Sequence, residues 1–449
     1  MMNKARFMIR ATLKPILLAC TLAASSAVFA NTPLPNETNA VSVGTVNCTT
    51  STCHGAVTPW DGSNVLQNEY TTWSRLDPHA RAYHTLLTDQ SKRIAEKLGL
   101  KQGAHNAKEC LDCHAHNPTQ KLRGERFDIT DGVNCEGCHG PAEKWIKSHT
   151  VEGTTHADNV KNGLFPTSNP REQARMCLSC HQGSESKPMT HRIMGAGHPR
   201  ISFELDTFNS IVPAHWRVDD DYRKRKGTPD NIKIWALGQG IAVEELLTHL
   251  LDPKRGRDGL FPELVLFDCH ACHHPMSKDQ YSSRTGVGPG RIRLNDSNML
   301  MMRALVNVVD ASGSKAFNDQ VVKLHQAVSD GKGDAMMEAR KLLEDVRRYN
   351  KQFENRSFTN TDLQGVMKAL ITEAGSGVFS DYAGAEQAYM AISSIATGLS
   401  KRGALANAKE VNVKLAALRK TLANDEKYRP ADFQKELLNL RNAAFVQVK

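Results

Sequence analysis

Five times between Cys48 and His273 a histidine directly follows the second of two closely spaced cysteines. The segments are Cys110-Leu-Asp-Cys113-His114, Cys135-Glu-Gly-Cys138-His139, Cys177-Leu-Ser-Cys180-His181, Cys269-His-Ala-Cys272-His273 and the wider Cys48-Thr-Thr-Ser-Thr-Cys53-His54. Together they take ten of the eleven cysteines. Cysteines three positions apart share one face of a helical turn and reach both vinyl groups of one porphyrin, while the next residue projects toward the iron. Zinc sites also use paired cysteines but do not require the trailing histidine, so repetition of the full pentapeptide favours covalent haem c. The first motif separates its cysteines by four residues; a bulged linker still lets both sulfurs reach a ring, and a Cys48–Cys53 disulfide is the alternative. The expected load is therefore five haems, or four if Cys48 and Cys53 carry none. A chain organised around covalent haems is constrained to short helices at the attachment sites, joined by long loops, with little β structure.

The N-terminus carries Lys4, Arg6, Arg10 and Lys14, then an apolar stretch from Pro15 to Phe29, then Val28-Phe29-Ala30. This is the pattern of a secretory signal over residues 1–30, cut after Ala30, which directs the chain to the periplasm. The apolar run is too short to span a bilayer and no later one is longer, so the mature chain is expected to lack a membrane span. Cys20, in Leu17-Leu18-Ala19-Cys20, only faintly resembles a lipoprotein box. The formal charge of +9 includes four positive charges in the leader, leaving +5. Ten haem propionates would outweigh that, so the basic composition reads as lysine and arginine set to pair with propionates, and no motif supports nucleic-acid binding.

Composition divides the rest. All five tryptophans and seventeen of the eighteen histidines precede residue 275, and no proline lies between Pro289 and Pro430. The Gly-rich stretch Thr285 to Gly290 reads as a linker between a multihaem part, 31–284, and a C-terminal part, 285–449. In the latter, Ala408, Val411, Leu415, Leu418 and Leu422 recur at helical spacing, as do Met336, Ala339, Leu343 and Val346, and Phe433, Leu437 and Leu440. Breaks near Gly313, Gly331, Gly375 and Gly403 predict six or seven helices in an antiparallel bundle. The fold class is mainly α.

Each motif histidine, His54, His114, His139, His181 and His273, supplies one axial ligand and leaves one iron face open. Twelve further histidines precede residue 275, so bis-histidine ligation is the expected arrangement. His79 follows Pro78 at the start of a helical turn. His149 stands in Trp145-Ile-Lys-Ser-His149, and His198 sits beside Gly195 and Gly197, where backbone can approach a flat ring. These three lead as distal ligands, with His191, His215 and His274 behind them. His84 points away from His79, and His105, His116, His156, His249, His270 and His325 read as ordinary.

From Val46 to His181 the chain resembles the cytochrome c-554 family of multihaem electron carriers. The resemblance rests on a first attachment site, then Trp73 with His79-Ala-Arg-Ala82, then Cys110 to His114. After these come Gly132-Val-Asn-Cys-Glu-Gly-Cys-His-Gly-Pro141 with His149 beyond it, and Cys177 to His181. The resemblance implies that His79 and His149 are distal ligands, that the protein carries electrons in the periplasm, and that the second motif, Cys110 to His114, is where a five-coordinate haem would occur. The wide first motif, the fifth site and the C-terminal helices depart from the family pattern.

The leading expectation is a pentahaem carrier between a redox protein donor and acceptor, such as a quinol-linked membrane complex or another cytochrome. The alternative is a multihaem oxidoreductase acting on a small nitrogen or sulfur compound at one open iron. No attachment site has lysine in place of the trailing histidine, and no tyrosine stands out as a haem cross-link.

Overall fold

The computed structural model describes residues 32–62, 65–257, 262–273, 291–330, 333–374 and 377–445. The leader with Cys20, the stretch 285–290 and His274 lie outside the described residues. Residues 33–449 form one compact unit. The fold is mainly helical, and β pairing among the described residues is confined to two isolated bridges, Ser42 with Arg123 and Phe267 with Leu294.

Up to residue 181 the helices are short. They include α1 (Glu69–Leu76), α2 (Asp89–Leu98), α3 (Lys108–His114), α4 (Cys135–His139) and α5 (Pro170–His181). Three of them end on a motif histidine. Their starts are written locally. Asn134 Oδ1 accepts from the Gly137 N–H to cap α4, and Asn169 accepts from Arg171 and Glu172 ahead of Pro170 to open α5. Protein side chains alone build little core here: one small cluster gathers Tyr83, Leu86, Ala95, Ala104, Leu111 and Ala115.

The exception to short helices is α7 (Asn231–Leu251), preceded by α6 (Leu205–Ile211). Asp230 caps α7 by accepting from Ile232 and Lys233. The helix is buried around nearly its whole circumference, with Trp235, Leu237, Ile241 and Leu247 all essentially inaccessible. It therefore shows no apolar stripe and belongs to an interior rather than a surface. From Ser297 onward seven helices follow among the described residues: α8 (Ser297–Val309), α9 (Ser314–Asp330), α10 (Ala335–Asn355), α11 (Asn360–Ala374), α12 (Tyr382–Lys401), α13 (Ala408–Lys420) and α14 (Pro430–Ala444). The stripes at Val411, Leu415 and Leu418, at Ala339, Leu343 and Val346, and at Phe433, Leu437 and Leu440 all enter one large core. That burial of apolar area is what holds helices of modest propensity in place.

α7 packs against α5 and α6 on one side and against α8, α10 and α12 on the other. An ionic network crosses the same junction. Glu244 of α7 accepts from Asn350 Nδ2 at 3.0 Å and Arg347 Nε at 2.9 Å, while Arg171 of α5 reaches Glu244 at 3.5 Å and Glu354 at 3.0 Å. A second tie joins Asp268, just before the fifth motif, to Arg293, which also reaches Asp381 at 2.8 Å. The α7–α10 approach is close enough that a Cβ on Gly240 would fall 1.8 Å from Asn350 Oδ1. Although alanine is the better helix former, Gly240→Ala should lower stability by about 1–3 kcal/mol through overpacking. Equilibrium urea unfolding followed by circular dichroism checks this, and an unchanged or raised midpoint would contradict it.

Candidate functional site

The five motif histidines do not cluster; each faces one other histidine across a gap. Ring centroids lie 6.3 Å apart for His54 and His149, 6.4 Å for His114 and His198, and 6.2 Å for His139 and His215. The separation is 6.0 Å for His181 and His79, and 6.3 Å for His273 and His191. Two imidazole nitrogens each about 2 Å from a shared metal, on rings whose centres lie about 1.1 Å behind them, would put the centres about 6 Å apart. Among the described residues no group of three or more His, Cys, Asp or Glu is placed to hold a bare ion. What converges is a pair of imidazoles with two cysteines beside one of them, which fits a haem c and not a tetrahedral zinc. Cys48 and Cys53 are not joined in a disulfide.

The ring nitrogens are oriented for this. A histidine whose Nδ1 is engaged presents Nε2 to a metal, and the partner sets how strong a donor it is. His54 Nδ1 meets Glu69 Oε2 at 2.9 Å, and His79 Nδ1 meets Asp77 Oδ1 at 2.8 Å. Both carboxylates raise the pKa of their imidazole through that hydrogen bond. His114, His149 and His198 instead donate Nδ1–H to the carbonyls of Ala82, Trp145 and Pro199 at 3.0, 3.3 and 2.8 Å. Burial holds His139 neutral, pushing it down to about 3. Aromatic neighbours set ring rotation: Phe203 stacks on His181 at 4.4 Å, Trp216 stands edge-on to His215 at 5.2 Å, and Trp145 does so to His149 at 5.5 Å.

Local structure explains the placement of His79. Residues Pro78–Arg81 form a 3-10 turn that runs into the short α-helix Ala82–Thr85, and the Asp77 carboxylate accepts from both the His79 N–H and its ring. Gly132, at φ 70°, lets the backbone pass so close that a Cβ would sit 2.7 Å from the His79 carbonyl oxygen. His191 opens a turn capped by Thr190, with its N–H held by Glu263 Oε1 at 2.9 Å.

Sites are also tied to one another. Glu136, inside the third motif and 1% exposed, accepts from the N–H groups of Val43 and Gly44, each at 2.8 Å, and of Ala142 at 2.7 Å. Burial raises its pKa against the pull of those donors. It fastens the segment before Cys48 to the third motif, and the side chains of Cys48 and Cys135 are hydrogen-bonding neighbours. Cys113 and Cys180 meet in the same way, and Cys138 lies within electrostatic range of Cys180.

Of the distal candidates, His79, His149, His191, His198 and His215 face motif histidines, while His274 lies outside the described residues. His116 is buried against Ser42 Oγ at 2.7 Å, and His325 donates Nδ1–H to the Val321 carbonyl at 2.8 Å. Sequence reasoning missed Glu69, Asp77 and Glu136. Asp77 alone had a readable signal, since Asp-Pro is a turn-opening dipeptide; Glu69 and Glu136 make contacts that no spacing announces.

Residues 47–140 match the family model described as cytochrome c554 and c-prime. Neither curated proteins nor solved structures give a match to the chain.

Removing the Glu136 carboxylate strands three backbone donors, two of them across the junction of the first and third motifs. Glu136→Ala should destabilise the protein by about 2–4 kcal/mol, since a buried unpaired donor costs about 1–3 kcal/mol. A thermal melt of the haem-loaded protein monitored in the Soret band reads this out; a melting temperature within error of wild type would refute the role.

Proposed function

We propose that this chain, a c-type cytochrome of the c554 family as the match over residues 47–140 supports, is a pentahaem electron carrier of the periplasm in which every iron is held by two histidines. The observation that carries this is the set of five imidazole pairs at 6.0–6.4 Å. His54, His114, His139, His181 and His273 would be the proximal ligands, and His149, His198, His215, His79 and His191 the respective distal ones. The ten motif cysteines would hold the porphyrins covalently. Haem supplies one-electron chemistry; the chain supplies ligands, insulation and distance.

At the second motif, where the family resemblance raises an open iron, His198 faces His114. That geometry favours transfer over substrate binding there. The sulfur positions suggest an order: the first site abuts the third through Cys48 and Cys135, the second abuts the fourth through Cys113 and Cys180, and Cys138 of the third lies within electrostatic range of Cys180 of the fourth. The fifth adjoins the fourth, since one cavity is lined by both His181 and Cys269. A branched path through the fourth haem follows, with ends available to a redox protein donor and acceptor. Export fits the N-terminal leader pattern; thioether attachment itself is the redox-neutral addition of a reduced cysteine thiol to a vinyl group. No helix among the described residues is long and apolar enough to cross a membrane.

Electron paramagnetic resonance of the oxidised protein tests the ligation. Near-parallel rings at the first and fifth sites (13° and 30°) should give two rhombic low-spin signals, and near-perpendicular rings at the others (86°, 73° and 84°) three with large g-anisotropy. His198→Ala should convert one signal to high spin. A high-spin signal in the wild type that responds to nitrite or hydroxylamine would overturn the carrier reading in favour of the oxidoreductase. The Asp77 carboxylate strengthens His79 as a donor and favours ferric iron. Asp77→Asn should therefore raise one midpoint potential in a spectroelectrochemical titration, leaving the haem count by intact mass unchanged.

A further inference from the structure

Beyond His181 the chain turns back along the end of α5. Gly183, at φ 99°, donates its N–H to the Leu178 carbonyl at 3.1 Å, and Ser184 and Lys187 exchange backbone hydrogen bonds of 3.1 Å each. This turn carries the half-buried Lys187 over the last turn of the helix. Its Nζ reaches Ser179 Oγ and Cys180 Sγ, each at 3.2 Å. Ser179 is 3% exposed and donates its own hydroxyl proton to the Met176 carbonyl at 2.7 Å, so toward Lys187 it is an acceptor. The ammonium therefore lies on the inner side of the fourth motif rather than in water.

Three motifs meet around that ammonium. Cys113 of the second and Cys180 of the fourth are hydrogen-bonding neighbours, and both feel the charge of Lys187. Cys138 of the third lies within its electrostatic range, as does the ring of His181. The carboxylate in range of Lys187 is Asp112, which Lys108 and Asn117 Nδ2, at 2.7 Å, also engage. Lys187, Lys108 and Asp112 together leave one positive charge. Lys108 is exposed, so its charge is damped by solvent, whereas Lys187 is turned inward. A cation placed so favours an added electron on any iron beside it.

We propose that Lys187 sets the potentials of the second, third and fourth haems together, its charge favouring the ferrous state of each. This rests on reading those three motifs as haem sites. The residue ligates no iron and acts through its field. Addition of the Cys180 thiol to a vinyl group leaves a thioether, a weak acceptor without charge. No thiolate is then left to cancel the ammonium, and Ser179 Oγ becomes its main bond. Because one charge serves three neighbouring sites, their potentials move as a group. The driving force among them is preserved, while their level relative to the first and fifth haems is fixed by a single side chain.

The test is a redox titration of the full-length, haem-loaded protein followed by electron paramagnetic resonance. The second, third and fourth pairs are the near-perpendicular ones, so their signals of large g-anisotropy stand apart from the two rhombic signals of the first and fifth. Lys187→Met and Lys187→Gln should each lower the midpoints of the three anisotropic signals, shifting the ferric-to-ferrous ratio about three- to tenfold at the fourth haem and less at the others. The rhombic signals should stay in place, and Lys187→Arg, which keeps the charge, should leave all five near wild type. Unmoved midpoints in both neutral variants, or an equal shift of all five, would overturn the proposal. A fall in Lys187→Arg as large as in Lys187→Met would do so too, by tracing the effect to shape. Mass spectrometry separates this from failure of the haem reading. Wild type with unmodified cysteines at any of the three motifs sinks that reading; wild type fully loaded beside neutral variants that lose the fourth haem makes Lys187 a structural residue and sinks the proposal alone.

Discussion

Each motif histidine in this protein looks across a gap of about one metal ion and its two bonds at a second histidine that comes from elsewhere in the chain. Facing imidazoles keep such gaps only if each ring is fixed from its outer side. The rest of the haem part is arranged to hold them open. Glu69, Asp77 and the carbonyls of Ala82, Trp145 and Pro199 pin the outer nitrogens, and Phe203, Trp216 and Trp145 fix the ring planes. Up to residue 181 the described side chains form only small apolar clusters, one around Tyr83 and Leu111 and one that brings Ala174 and Leu178 against α7. On the proposed five-haem reading, haem loading and folding form one process.

The C-terminal helices meet that need by a different route. They bury a conventional apolar core and pass its rigidity on through α7, whose faces are all occupied. α5, which ends on His181, lies against α7, and the Glu244 network reaches from Arg171 to α10. The fourth motif is thereby seated against a helix that is covered on all its faces. The fifth is fastened by Arg293 to Asp268 and Asp381.

The cysteine–histidine motifs stood out in the sequence because covalent attachment of a porphyrin demands contiguous residues. Three of the C-terminal helices were legible because α10, α13 and α14 bury one face each and so leave a periodic stripe. The histidines opposite the motifs could only be shortlisted from proline and glycine neighbours, since the pairing is a fact of tertiary structure. α7 left no stripe at all: a helix apolar all round has no period to read, and in sequence it sat among the loops of the haem part. Its packing on α5 and α6 as well as on α8, α10 and α12 is not visible in a division drawn at the glycine-rich stretch near residue 285. Glu136 was invisible for another reason: within Cys-Glu-Gly-Cys it reads as a spacer between cysteines, yet its carboxylate closes a contact with a segment more than ninety positions upstream.

That contact sets an order in time. As the chain emerges from its N-terminus, Cys48 and Cys53 arrive first but the scaffold behind them lacks its clasp until Glu136 follows. On the proposed five-haem reading, both sulfurs of the long-spaced first motif are reached while the segment before them still lacks the Glu136 carboxylate that will hold it.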